Sequence, residues 1–225
     1  MNDGFPKIKI CGISDQHFAK KAESFGADYL GFIFAEGSPR RVSPETAAQI
    51  ASALSGSARR VGVFTKSAIP EMLEIASIAS LDVIQLHSAD YGADEIRELH
   101  MAGFEVWQLY GQNTTMPMHA MIRDGDNLAD VRMKTSSVGC FPDAILLDGV
   151  SGGATGGTGA LADWQLAKSM ASSGIRVVLA GGISADNAVE AAKTGCAVLD
   201  VNSSLETSKA VKSTVLLERF FDAIR

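Results

Sequence analysis

Eight short apolar runs rich in β-branched and aromatic residues recur along the chain. They are KIKIC from Lys7, YLGFIF from Tyr29, RVGVF from Arg60, VIQLH from Val83, EVWQL from Glu105, AILLD from Ala144, RVVLA from Arg176 and VLDVN from Val198. Successive runs start as little as 22 residues apart (Val83 to Glu105) and at most 39 apart (Glu105 to Ala144). Between most of them lie stretches of helical spacing and turn punctuation, over 15–25, 44–54, 70–78, 94–101 and 185–193. Strands alternating with helices at this pitch read as parallel β-α units. Two architectures accommodate them, an open doubly wound sheet and a closed eight-stranded barrel. Eight units in 225 residues match a (β/α)8 TIM barrel, which typically takes about 250 residues. The expected fold is therefore α/β, one barrel domain over 1–225.

Two stretches break the rhythm. The segment 110–142 is long, polar and weakly periodic, with methionines at 116, 118, 121 and 133, and reads as an irregular connection between the fifth and sixth strands. The second is the glycine run GVSGGATGGTG over 149–159. Neither has the composition of a linker between domains.

Charge narrows the partners. The chain carries 20 Lys and Arg against 26 Asp and Glu, a formal net charge of −6, and has no long basic run. Nucleic acid is not an expected partner, because neutralising phosphates takes a basic footprint. A small anionic substrate needs only one local pocket and stays open. Cys11, Cys140 and Cys196 are widely spaced and odd in number, which fits neither a disulfide framework nor a metal site. The start, MNDGFPKIKI, lacks the apolar run of a signal peptide, and no stretch is apolar for long enough to span a bilayer. No membrane partner is expected, and the cytoplasm is the expected location.

In such barrels the chemistry sits on the loops that follow the strands. Side chains two apart on a strand share a face, so Cys11 shares its face with Lys9 and Lys7, His87 with Gln85, and Asp148 with Leu146. If these faces line the barrel, Lys9, Cys11, Gln85, His87 and Asp148 meet near its mouth. Each has a bland explanation when taken alone. A free cysteine is more often core filler than reagent, an aspartate before a glycine-rich loop is a common turn residue, and a histidine at a strand end is commonly structural. Their coincidence at successive strand ends favours a site, because polar side chains there need partners once desolvated.

Ala180-Gly181-Gly182-Ile183 follows the seventh run and Asn202-Ser203-Ser204 the eighth. Loops at those two places commonly hold phosphate through backbone N–H groups. Glycine lets the backbone approach an anion and serine adds a hydroxyl donor. With Gly156-Gly157-Thr158-Gly159 before them, these loops point to a phosphorylated small-molecule substrate.

The blocks KICG (from Lys9), GADYLGFIFAEGSPRRVSPE (from Gly26), VIQLH, LLD (ending at Asp148), GGTG with the later DW, LAGGIS (from Leu179) and DVNSSLE (from Asp200) occur in this order. Together they resemble the phosphoribosylanthranilate isomerases of tryptophan biosynthesis, over nearly the whole chain. The resemblance implies a (β/α)8 barrel and an Amadori rearrangement of N-(5-phosphoribosyl)anthranilate, without metal or organic cofactor. It implies Cys11 as general base, Asp148 as general acid and Arg40 as the holder of the anthranilate carboxylate. His87, Lys9 and Gln85 are expected beside the substrate. Gly157, Gly159, Gly181, Gly182, Asn202, Ser203 and Ser204 are expected at its phosphate. The cysteine needs a thiolate, and a free thiol has a pKa of about 8.5, so Lys9 is the expected source of a downward shift.

The chain departs from the family pattern at Ser88 and Leu205, where glycine is usual, and at Ala162, where phenylalanine is. TSKAVKSTV replaces a Pro-Gly entry into the last helix. These departures keep two alternatives in view: a paralogue acting on another phosphosugar, and a phosphosugar-binding barrel without turnover. Periodicity leaves monomer and homodimer equally open.

Overall fold

The computed structural model describes residues 4–88, 90–110, 140–149 and 162–225. Most of the irregular 110–142 segment and of the 149–159 glycine run lies outside them. The eight apolar runs form eight parallel strands that close into a barrel in chain order, β1 pairing with both β2 and β8. They are β1 (Lys7–Cys11), β2 (Tyr29–Ile33), β3 (Arg59–Phe64), β4 (Val83–Leu86), β5 (Glu105–Leu109), β6 (Ala144–Leu147), β7 (Val177–Leu179) and β8 (Val198–Val201). Among the described residues seven helices surround them: α1 (Gln16–Phe25), α2 (Pro44–Ser52), α3 (Ile69–Ala79), α4 (Ala93–Met101), α5 (Trp164–Ser172), α6 (Ala188–Ala192) and α7 (Thr214–Ala223). No helix among them is long and apolar enough to cross a membrane.

Helix starts follow capping chemistry. Asp15 accepts from Phe18 N, Ser43 from Thr46 N, Asp163 from Leu166 N and Ser213 from Leu216 N. Each bond satisfies a backbone donor that the first turn would leave open. The sixth helix is shorter than its pattern. Asn187 Oδ1 accepts from Ser184 N and Asn187 Nδ2 donates to Gly182 O, so the chain turns on itself before α6 begins at Ala188. The stretch expected to lead into the last helix instead forms a small hairpin, β9 (Glu206–Ser208) and β10 (Val211–Lys212).

Alternation along the strands builds two cores. Outward residues such as Ile8, Ile10, Leu30, Phe32, Ile84 and Leu199 pack beneath the helices. Inward residues, among them Tyr29, Val61, Val83, Trp107, Leu146 and Val178, fill the barrel itself. Tyr29 and Trp107 meet edge to face with centroids 4.9 Å apart. At the N-terminal end Glu105 accepts from Arg176 Nη1 (2.5 Å), Trp107 Nε1 (2.6 Å) and Arg59, while Arg176 also donates to the Tyr29 hydroxyl at 3.0 Å. This charged plug leaves the opposite end free for the site. On the outer wall, His100 of α4 bonds Cys140 Sγ at 3.0 Å and Asp143 Oδ2 at 2.8 Å, tying the start of β6 to its neighbour.

Candidate active site

The C-terminal ends of the strands surround a cavity of about 690 Å³. Cys11, at the end of β1, and Asp148, just after β6, both line it, as do Gln85, His87, Arg40 and Asp200. Register explains the meeting. Cys11 pairs with Gly31 and Lys9 with Asp200 across the strands flanking β1. A Cβ at Gly31 would stand 2.9 Å from Cys11 Sγ and 3.0 Å from Lys9 Cε, so the bare backbone there makes room for both side chains.

Lys9 lies beneath the cavity rather than along it. Its ammonium is fully buried and donates to Asp200 Oδ2 at 2.6 Å and Gln85 Oε1 at 2.9 Å. An ammonium has donors only, so it fixes the Gln85 amide with its oxygen toward Lys9. The amide nitrogen then donates to His87 Nδ1 at 3.1 Å. With Nδ1 an acceptor, the imidazole carries its proton on Nε2, which lies 3.6 Å from Asp148 Oδ2, just past hydrogen-bond length. The Lys9 cation thereby sets, through Gln85, the tautomer of His87 two residues beyond that glutamine.

Burial and the Lys9 charge push His87 down to about 4, against the pull of Asp200, so the ring is neutral at pH 7. Burial and the Asp200 charge raise the Asp148 carboxyl to about 6, opposed by the Gly149 N–H and by Lys9. A carboxyl held there is mostly ionised at pH 7 but keeps a minor protonated fraction far larger than an ordinary aspartate would. Burial and the Asp200 charge push the Cys11 thiol up; the charge and hydrogen bond of Lys9 and the charge of Lys212 pull it down, and the upward causes prevail. Lys9 thus acts in the expected sense, but the net shift is upward and the thiol is the resting form.

Arg40 is not free. Its Nε and Nη2 donate to Glu206 Oε1 and Oε2 at 2.7 and 2.8 Å. Gly181, Gly182, Asn202 and Ser203 line the cavity. The Ser204 hydroxyl is spent on Ile183 O at 2.5 Å, bracing the loop after β8 against the loop after β7. Gly157 and Gly159 lie outside the described residues.

Three departures from the family pattern fall away from the cavity, whereas Ser208 and Lys209 of the TSKAVKSTV stretch line it. Leu205 is buried in the main core and Ala162 packs there too. Ser88 closes a local turn, donating to Asp90 Oδ2 and accepting from Asp90 N. Three residues escaped sequence reasoning. Asp200 was within reach, because it stands two before Asn202 on the same strand face; its buried Oδ1 has no hydrogen-bond partner among the described residues. Glu206 and Lys212 gave no local signal, since what joins them to the site is Arg40, on the distant loop after β2.

The sequence matches the family model described as N-(5'-phosphoribosyl)anthranilate (PRA) isomerase over residues 8–223. The N-(5'-phosphoribosyl)anthranilate isomerase of Rubrobacter xylanophilus is 36% identical over 221 residues, covering 97% of this chain and 98% of the relative. That of Rhizobium etli is 31% identical over 223 residues, covering 97% and 94%. The phosphoribosyl anthranilate isomerase structure from Thermus thermophilus superposes with a TM-score of 0.78 at 32% identity, covering 97% of this chain and 98% of that one. A further such isomerase, solved in complex with reduced 1-(o-carboxyphenylamino)-1-deoxyribulose 5-phosphate, gives a TM-score of 0.71 at 25% identity and 97% coverage of each chain. A match running from the first strand to the last helix, over a barrel whose acid and thiol share one cavity, leaves a single assignment: the chain belongs to the N-(5'-phosphoribosyl)anthranilate isomerase family.

Proposed function

We propose that this protein isomerises N-(5'-phosphoribosyl)anthranilate to 1-(2-carboxyphenylamino)-1-deoxyribulose 5-phosphate, an Amadori rearrangement in tryptophan biosynthesis. The observation that carries the reading is the pairing of Asp148, raised to about 6, with Cys11 in one cavity. Asp148 gives its proton to the furanose oxygen as the C1–O bond breaks and the nitrogen lone pair forms C1=N. Cys11, as thiolate, takes the proton from C2; the C–H electrons close C1=C2 while the C1=N pair returns to nitrogen. The resulting enol becomes the ketone as C1 gains a proton and the C2 hydroxyl loses one. Only protons move, so the step asks for no redox partner.

Resting Asp148 is the stronger acid of the two, so the productive state is the minor arrangement with the proton on Asp148 and the charge on Cys11. Lys9 beside the sulfur lowers the cost of that arrangement. The neutral His87, with Nε2–H toward Asp148, is placed to steady the carboxylate left after proton transfer. The unpartnered Asp200 Oδ1 offers an acceptor to a sugar hydroxyl. Gly181, Gly182, Asn202 and Ser203 receive the phosphate and Arg40 the aryl carboxylate. The free cysteines and the acidic balance of the chain support a cytoplasmic setting.

The test is loss of fluorescence when freshly made phosphoribosylanthranilate meets the purified protein. Turnover is expected, and Cys11→Ala and Asp148→Asn should each lower kcat by about 10²–10⁴-fold with the fold intact. Near-normal rates in either variant would remove that residue from its role. Saturable binding without turnover would replace the isomerase by a binding barrel.

A further inference from the structure

The hairpin that replaces the expected helix entry carries two charges into the site. Glu206 and Lys212 are register partners on β9 and β10, and their side chains are only 4% exposed. Glu206 Oε1 accepts from Arg40 Nε at 2.7 Å and lies 3.2 Å from Lys212 Nζ. Its Oε2 accepts from Arg40 Nη2 at 2.8 Å and from Ala210 N at 3.0 Å. Ala210 sits at φ 65°, in the left-handed region, to make that turn. Lys212 Nζ also donates to Asn202 O and Oδ1, both at 2.8 Å. The carboxylate is therefore held from three sides.

A guanidinium carries five N–H groups in one plane. Glu206 occupies the edge made by Nε and one Nη2 hydrogen. The other Nη2 hydrogen and Nη1 form a second fork, which has no protein partner among the described residues. Glu206 alone would cancel the charge of Arg40 and leave a poor anion site. Lys212 restores it: two cations and one carboxylate leave this cluster with a single net positive charge.

We propose that Glu206, locked by Lys212, is a positioning residue that fixes Arg40 with one fork free for the substrate's aryl carboxylate, and so sets the preference for a carboxylated aromatic amine over an uncarboxylated one. This deepens the isomerase reading and rests on it. Arg40 touches the substrate; Glu206 and Lys212 act through Arg40. The effect of Glu206 belongs to binding at the aryl end, whereas Lys212 also holds Asn202 of the phosphate loop and its charge reaches Cys11.

The experiment compares two substrates, phosphoribosylanthranilate and the phosphoribosyl derivative of aniline, which lacks the carboxylate. For wild type, Glu206→Gln and Lys212→Met, kcat and KM are measured for both, with circular dichroism confirming the fold. In Glu206→Gln, KM for the anthranilate substrate should rise by about tenfold to a hundredfold, the worth of one or more bonds to a charged group. Its kcat should stay within about threefold and KM for the aniline substrate should not move. Equal effects on both substrates, or no effect on either, would overturn the inference while wild-type turnover still upheld the isomerase. If Glu206→Gln does not fold, Lys212→Met decides: because it also loosens Asn202 it should raise both KM values, but that for the anthranilate substrate by the larger factor, and equal factors would overturn the inference. A wild-type protein without turnover of the anthranilate substrate would overturn the isomerase reading and this inference together.

Discussion

Lys9 and Asp200 meet at 2.6 Å on paired positions of β1 and β8, with the ammonium fully buried and the carboxylate 7% exposed. The pair links the first strand to the last and supplies the field that both Cys11 and Asp148 feel. Removing one member strands the other charge in a dry interior, at a cost of about 3–5 kcal/mol. Lys9→Met should therefore lower the stability measured by urea titration by about that much. Replacing both, Lys9→Met with Asp200→Leu, should recover most of the loss while leaving turnover abolished.

The raised Asp148 carboxyl has a stability consequence with a definite sign. Its folded pKa of about 6 stands above the ordinary 3.8, so the native state holds the proton more tightly than the unfolded chain. Its contribution is fully present below about pH 3.8 and is lost as pH rises through 6. The difference, roughly 3 kcal/mol at 1.36 kcal/mol per unit, is an upper figure. Asp148→Asn should accordingly be more stable than wild type at pH 8 and gain little at pH 4, as thermal melts at the two pH values will read.

The same carboxyl sets the acid limb of catalysis. With the productive state a single-proton form shared between Asp148 and Cys11, kcat/KM should rise with pH to a limb near 6 and fall again only as the buried thiol ionises. A profile that keeps falling from pH 5 upward would contradict the shared proton.

His87 offers a spectroscopic check of the hydrogen-bond chain. Nitrogen-15 NMR should find it neutral, protonated on Nε2, from pH 8 down to about 5, because burial and Lys9 hold it down to about 4. Gln85→Leu removes the donor to Nδ1 and should mix the tautomers without charging the ring at pH 7.

Gly12 carries a steric prediction. It lies at φ 74°, and a Cβ there would stand 2.9 Å from Asn202 Oδ1 and 3.0 Å from Arg40 Cδ. Gly12→Ala should lose about 1–2 kcal/mol to backbone strain and raise KM as Arg40 is pushed aside. Calorimetry and steady-state kinetics read the two effects separately.

Much of this architecture was legible in the sequence because it is periodic. Strand parity alone placed Lys9 with Cys11 and Gln85 with His87, and the chain-order barrel followed from eight runs. β3 begins one residue earlier than its apolar run and β7 one later, at polar–apolar boundaries where pairing rather than hydrophobicity decides. The hairpin of β9 and β10 escaped because strands of three and two residues are too short to have a period to detect. Glu206 and Lys212 escaped for a related reason: their meaning lies in Arg40, 166 residues from Glu206. The pKa of Cys11 was misjudged because a neighbouring cation is visible in sequence, whereas the depth of burial is a property of the closed barrel.

That separation along the chain also orders events in time. Chains emerge from the ribosome N-terminus first and fold as they emerge, so the thiol of β1 and the arginine after β2 appear long before the hairpin that fixes the arginine. All eight strands are already synthesised when Glu206 arrives. Cys11 is thus the oldest part of the growing site and the charge clamp on Arg40 the youngest, and an incomplete chain that ends after β8 has Cys11 and Asp148 without the element that steadies Arg40.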